Sequence, residues 1–326
     1  MLVLNQDDVR AVLDLDELVD ALARALSDVS AGTVSMPARV AASVDERDGL
    51  LAAMPSYVPS ARALATKLVS LFPHNADRPT HQAVVVCFDP RNGTPVALLD
   101  GTYLTAARTA AGSALATRLL ARPDARVLAI LGTGVQARSH ARAVTRVRRF
   151  DEVRVAGRRA AEAARVAAEL ASELDVRVVP APSFEAALDG ADVVCATTHA
   201  ADPVVRREWL DAGTHVSSVG YNTRGREVDA ATVVDAYVVV EARSAALAPP
   251  PAGANDLLWP LRDGLIDERH VRAELGELVT GAVAGRTSPD EITLYKSVGI
   301  AAEDAAAAAL VLRGAAERGV GTRLDV

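Results

Sequence analysis

The chain has 326 residues, half of them hydrophobic and 24% charged, with a formal net charge of −7. That length favours two domains over one core, and the acidic balance excludes the positive field that a nucleic-acid surface needs. No apolar run approaches the ~20 residues of a membrane span, and no basic stretch precedes an apolar core at the N-terminus, so neither a membrane nor a signal peptide is expected.

Residues 7–31 carry Val9, Val12, Leu13, Leu18, Leu22 and Leu26 at helical spacing. "ARVAAS" and "GLLAAMPS" then flank the turn-forming "DERDG", which predicts a hairpin. "ALATKLVSLF" and "AVVVCFDP" read as strands, and "RNGTPVALLD" places an Asn-Gly turn before another. From Leu104 to Leu120 the pattern is helical and alanine-rich until Pro123 forces a break. The first 120 residues therefore read as α+β with antiparallel pairing.

From Arg126 the pattern changes. "RVLAILG", "EVRVAG", "VRVVP", "ADVVCATT", "THVSSVG" and "AYVVVE" are strands, with helices over 136–148 and 159–174 and a short one at "SFEAALDG". Nearly continuous apolar strands alternating with helices predict a parallel sheet buried on both faces, a doubly wound α/β domain over 121–301. The final helical run, "GIAAEDAAAAALVLRGAAERG", is expected to pack back on the N-terminal domain, giving 1–120 plus 302–326 as the second domain. Glu303 and Asp304 open that helix, where acids favour the dipole. Cys87 and Cys195 lie inside apolar runs and read as buried thiols of a reduced, cytoplasmic protein.

The turn after the first parallel strand reads Gly132-Thr-Gly134-Val-Gln-Ala137. Gly132 permits a tight turn, Gly134 admits a pyrophosphate, and position 137 needs only a small side chain where helix meets strand. Helix amides then face the phosphates, so a dinucleotide is expected here. At the end of the second strand, where an acid would bind the ribose 2′-OH of NAD, the chain offers Arg158 and Arg159. Two arginines at a helix N-terminus oppose the dipole unless an anion lies between them. A 2′-phosphate is such an anion, which favours NADPH with NADH still possible; solvated arginines with relaxed cofactor preference are the alternative.

Strand alternation places Lys67 on the face shared by Ala65 and Val69, where a lysine needs an anionic partner or a depressed pKa. A guard against edge-strand aggregation is the plainer reading. Arg39 and Arg108 are similarly isolated in small or apolar surroundings, and together the three cations would make a carboxylate clamp. Asp229 reads as a helix cap. His140 and His215 have no partner at ligand spacing, so no metal is expected.

In order along the chain, "MPARV", "LLAAMPSY", "ATKLVSLFP", "VVVCFDPRNGTPVALLDG", "LTAARTAA", "ILGTGVQARSH", "DVVCATT", "GTHVSSVGYN" and "EITLYKSVGIAAEDAAAAA" resemble the ornithine cyclodeaminase/μ-crystallin family. The resemblance implies a Rossmann domain inserted in a substrate and dimerisation domain built from both termini, hence a homodimer. It also implies hydride transfer between a nicotinamide and the carbon bearing an amine or imine. Arg39, Lys67 and Arg108 match the positions that grip the substrate carboxylate, with Lys67 close enough to the imine to share in proton transfer. Thr80, Arg108, Val135, Gln136, Thr197, Val219 and Ser297 fall at or near cofactor contacts.

Two departures bear on the subclass. Asn222 stands where the cyclodeaminases carry a catalytic acid, and Met54 where they carry a glutamate that holds the distal ammonium of ornithine. An amide is no general base and a thioether offers no counter-charge. The expectation is reduction of a preformed small α-imino acid, such as Δ1-pyrroline-2-carboxylate, Δ1-piperideine-2-carboxylate or an open-chain imine. The alternatives are ornithine cyclodeaminase or alanine dehydrogenase activity, or a crystallin-like protein that binds NADPH without turnover.

Overall fold

The computed structural model describes residues 1–249 and 252–325. Its first elements are β1 (Leu2–Leu4), α1 (Gln6–Val12), α2 (Leu15–Ser30), β2 (Val40–Val44), β3 (Gly49–Val58), β4 (Ala63–Leu71), β5 (His81–Phe88), β6 (Pro95–Asp100) and α3 (Gly101–Leu120). Strands and helices then alternate through β7 (Val127–Leu131), α4 (Val135–Val147), β8 (Glu152–Ala156), α5 (Ala160–Ala171), β9 (Arg177–Pro180), α6 (Phe184–Leu188) and β10 (Val193–Ala196). There follow β11 (His215–Ser218), α7 (Ala230–Asp235), β12 (Tyr237–Val240), α8 (Arg243–Ala246), α9 (Asn255–Arg262), β13 (Val271–Glu274), α10 (Leu275–Thr280) and β14 (Thr293–Lys296). The chain closes with α11 (Ala301–Arg318) and β15 (Thr322–Arg323).

The helical spacing over 7–31 resolves into two helices. Asp14 interrupts it because its carboxylate accepts the amides of Asp16 and Glu17 and starts α2 afresh. Asp229 caps α7 in the same way, as its position before "AATVV" predicts.

Packing divides the chain into two compact units, Met1–Arg108 with Gly299–Val326, and Thr109–Val298. The first division falls inside α3 and the second just before α11, whereas the change of pattern placed them at 120/121 and 301/302. A continuous helix carries no local sign of where its neighbours change.

In the first unit seven strands run in the order β15-β1-β6-β5-β4-β3-β2, antiparallel except for β1 against β6. Helices α2 and α11 pack on each other, and α11 lies against β3 and β4. Alternation sends Ala52, Met54, Ser56 and Val58 of β3, with Ala63, Ala65 and Lys67 of β4, to the buried face. Along the other face Leu51 and Val84 are exposed.

The second unit is an eight-stranded, wholly parallel sheet ordered β13-β12-β14-β11-β10-β7-β8-β9. From β7 the chain winds outward through β8 and β9, then returns to β10 on the other side of β7. This reversal is a topological switch point, where doubly wound sheets bind ligands beyond the carboxyl ends of the strands. Strand β14, which hydropathy passed over because "TLYK" is short and ends in a lysine, lies between β11 and β12 with all four residues buried.

Candidate functional site

In the first unit, the buried face of β4 presents Lys67, only 2% exposed, with Met54 directly opposite it on β3 and Val85 on β5. Its Nζ lies 2.7 Å from Asp304 Oδ2 in the first turn of α11. Arg108 on α3 reaches the same turn, its Nε donating to Asp304 Oδ1 at 3.0 Å and its Nη1 to Glu303 Oε2 at 3.1 Å. Glu303 also accepts the amide of Ile300, the residue ahead of α11. Arg39 donates from Nη2 to the carbonyl of Gly299 at 2.9 Å. The three cations read from isolated sequence positions thus gather around the N-terminus of one helix.

Glu303 and Asp304 correct the sequence reading. Expected only to favour the helix dipole, they are each 1% exposed and serve as counter-ions to Lys67 and Arg108. Their signal was present: on an alanine-rich helix, position 304 falls on the stripe of 301, 305 and 308, which is buried throughout. Lys67 and Arg108 face these two carboxylates, with Arg39 on the carbonyl just ahead of the helix. Burial pulls the Lys67 ammonium from its ordinary 10.5 to about 8, against the opposing attraction of Asp304. Burial would raise the Asp304 carboxyl, but Arg108 and Lys67 together outweigh it and hold it below its ordinary value. Thr80 lies in the loop before β5, with its hydroxyl 3.2 Å from His81 Nδ1.

In the second unit, Gly132 follows β7 with φ +126°, and a Cβ there would meet Thr197 Oγ1, just beyond β10, at 2.6 Å. Only glycine fits this crossing at the switch point. Ala137 is fully buried, as a packing position at the foot of α4 should be. Helix α4 opens at Gly134 with no side-chain cap, and the space in front of Gly134 is open. Val135 is 66% exposed, and the buried Oε1 of Gln136 has no hydrogen-bond partner among the described residues. An uncapped helix N-terminus, an open approach and an orphaned acceptor together fit a phosphate-bearing ligand with a polar end group. Arg158 and Arg159 follow β8, exposed, and neither side chain forms an ion pair or hydrogen bond among the described residues.

The remaining expected contacts line the carboxyl ends of neighbouring strands. Thr197 donates its hydroxyl to the Leu131 carbonyl at 2.8 Å, and the Val219 amide bonds the Ala196 carbonyl. Ser297 donates its hydroxyl to the fully buried Glu241. Asn222 donates from Nδ2 to the His199 carbonyl at 3.0 Å while its Oδ1 accepts the Arg224 amide at 2.8 Å. The first of these bonds is one that an aspartate could not make. Sequence reasoning missed a buried network beside this loop: Lys296, Asp256, Glu227 and Ser218. Among the described residues no group of three or more His, Cys, Asp or Glu could hold a metal ion.

A switch-point glycine turn on a parallel sheet, with a separate unit carrying a buried cationic cluster, defines the architecture of a dinucleotide-dependent protein. Residues 1–319 match the Ornithine cyclodeaminase/mu-crystallin family, and the chain belongs to it. Among its relatives, a Delta(1)-pyrroline-2-carboxylate reductase of Bacillus cereus is 35% identical over the whole of both chains. The ketimine reductase mu-crystallin of Mus musculus is 38% identical over 90% of each. The structure of Thermococcus litoralis Delta(1)-pyrroline-2-carboxylate reductase in complex with NADH and L-proline has a TM-score of 0.95 at 37% identity, covering 99% of this chain and 100% of that one.

Proposed function

We propose that this chain is a nicotinamide-dependent reductase of small α-imino acids, acting on preformed cyclic ketimines or an open-chain imine. The observation that carries the reading is the buried Lys67–Asp304–Arg108 cluster with Arg39 beside it, three cationic donors gathered at one helix N-terminus as a carboxylate clamp requires. The relative that holds NADH and L-proline, the amino acid expected from such a reduction, supports it. The nicotinamide supplies the hydride. Arg39 and Arg108 orient the carboxylate, and Lys67 holds the proton that the imine nitrogen takes up. Gly132, Gly134, Val135 and Gln136 hold the dinucleotide, with Thr197, Val219 and Ser297 near it.

Met54 and Asn222 disfavour cyclodeamination. Met54, beside Lys67, offers no charge to a distal ammonium, and Asn222 spends both polar side-chain atoms on backbone groups, the His199 carbonyl of the loop after β10 and the Arg224 amide of its own. The assay is direct: Δ1-pyrroline-2-carboxylate or Δ1-piperideine-2-carboxylate added to protein and reduced nicotinamide should consume the nicotinamide and yield the cyclic amino acid. A panel of imines that leaves it untouched refutes the reading.

NADPH is the favoured form, because Arg158 and Arg159 are exposed cations at the end of β8 whose side chains form no ion pair or hydrogen bond among the described residues. Arg158→Ala combined with Arg159→Ala should raise KM for NADPH by about tenfold or more while barely moving KM for NADH, since each lost phosphate contact is charge-assisted. An equal effect on both cofactors would contradict it.

The first unit also acts as the dimerisation domain in this reading. The face of its sheet turned away from α11 exposes Leu51 and Val84 and carries half-buried Leu64, Leu68, Val86 and Leu98, and such a patch suits a second copy of the chain. The two buried free thiols, Cys87 and Cys195, suit a reducing cytoplasm, and no helix among the described residues is long and apolar enough to cross a membrane.

A further inference from the structure

Lys67 and Lys296 are the only lysines in a chain with 35 lysines and arginines combined. Every other such cation is arginine, so lysine occurs only where it is buried, at 2% and 1% exposure. Lys67 belongs to the cluster above; Lys296 is the last residue of β14, at the carboxyl end of the sheet.

Its ammonium has three donors and three partners: Asp256 Oδ2 at 3.0 Å, Ser218 Oγ at 3.0 Å and the Gly220 carbonyl at 2.8 Å. Ser218 donates its own hydroxyl to Glu227 Oε2 at 2.8 Å, and the same oxygen accepts the Gly220 amide at 2.8 Å. The other Glu227 oxygen takes the amide and hydroxyl of Thr198 at 2.5 and 2.8 Å. Asp256 on α9 closes the circuit by accepting the amides of Glu227 and Val228, each at 2.8 Å. Burial, with the Asp256 charge nearby, holds the Glu227 carboxyl above its ordinary value, although Lys296 and the hydrogen bonds from Thr198 oppose that rise. A compact ammonium satisfies three convergent acceptors, whereas the planar fork of arginine does not fit them.

We propose that Lys296 is a positioning residue for the nicotinamide cofactor: by bonding Ser218 and Gly220 on either side of Val219, it fixes the backbone that leaves β11 where the ligand crevice opens. The proposal rests on the reading that this unit binds a nicotinamide nucleotide. Lys296 need not touch the ligand. It sets the backbone path of residues 218–222 jointly with Glu227, the Val219 amide bond to the Ala196 carbonyl and the Asn222 bond to the His199 carbonyl.

The test uses the full chain with Lys296→Met, Lys296→Arg and Ser218→Ala. Direct titration with NADH and NADPH should show Kd raised by about tenfold or more in Lys296→Met, with KM for the nicotinamide rising in parallel and KM for the imine unchanged. Lys296→Arg should fail to restore binding despite keeping the charge. With two lysines, lysine-selective 13C labelling gives one signal per site, and an unchanged Lys67 titration shows that the first unit is intact. If Lys296→Met does not fold, Ser218→Ala, which removes one bond to the ammonium and the link to Glu227, should still raise Kd. Folded variants that bind within about twofold of the unaltered protein, or that lose only kcat through a smaller active fraction, overturn the proposal. Failure of the unaltered protein to bind either nucleotide overturns the reading of function as well, which separates the two.

Discussion

Replacing Lys67 with methionine should lower kcat/KM for imine reduction by about 10²–10⁴, the span that a positioned acid contributes. The side chain sits on the buried face of β4 with its Nζ 2.7 Å from Asp304, and no other lysine belongs to this unit. Reduction consumes a proton at the imine nitrogen, so in the role proposed for Lys67 its protonated form is the active one. With its pKa brought down by burial to about 8, kcat/KM should hold below that pH and fall above it. Methionine should remove this basic limb along with most of the rate. Arginine in its place should recover part of the carboxylate affinity but not the rate, because a guanidinium does not release its proton in this range. Nicotinamide affinity, measured directly, should not change. A basic limb that persists in Lys67→Met would assign the proton to another group.

Removing the carboxylate of Asp304 should be the most damaging single change to stability. Asp304→Ala leaves Lys67 and Arg108 buried with Glu303 as their remaining acidic partner in the cluster. Breaking a buried ion pair from one side costs about 3–5 kcal/mol, a large share of the stability of most domains. Urea unfolding at neutral pH should register that loss. Asp304→Asn, which keeps the shape, should cost less and should move the basic limb of kcat/KM to lower pH, since Lys67 loses the charge that opposes its desolvation. Linkage adds a check. A lysine whose folded pKa is depressed binds fewer protons folded than unfolded between about 8 and 10.5, so its contribution to stability grows as pH rises through that window. That rise should disappear in Lys67→Met. A loss of stability under about 1 kcal/mol in Asp304→Ala would mean that the cluster is solvated rather than buried.

The parts of this site that could be read from sequence are those that local pattern encodes. A strand, two glycines and a helix in succession announce the turn at Gly132, and period-two alternation places Lys67 on a covered face. What could not be read depends on pairing across long stretches of chain. Asp304 meets Lys67 only because α11 returns to β4 after the whole second unit has intervened. The two acids looked sufficiently explained by the helix dipole, and that local reason hid the distant one. Lys296 was overlooked for the opposite reason. A lysine at the end of a four-residue apolar run looks like a surface end, whereas β14 occupies the middle of the sheet and Ser218, Gly220 and Asp256 come from other elements. Asn222 was legible as a departure from the cyclodeaminase pattern, but its bond to the His199 carbonyl, the structural reason for an amide there, was not.

The most direct test sets two reactions side by side with the same purified protein. Δ1-pyrroline-2-carboxylate with NADPH or NADH should give proline, one nicotinamide oxidised for each molecule formed, while ornithine with catalytic NAD should give neither proline nor ammonia. Proline and ammonia from ornithine, with the imine left unreduced, would contradict the account.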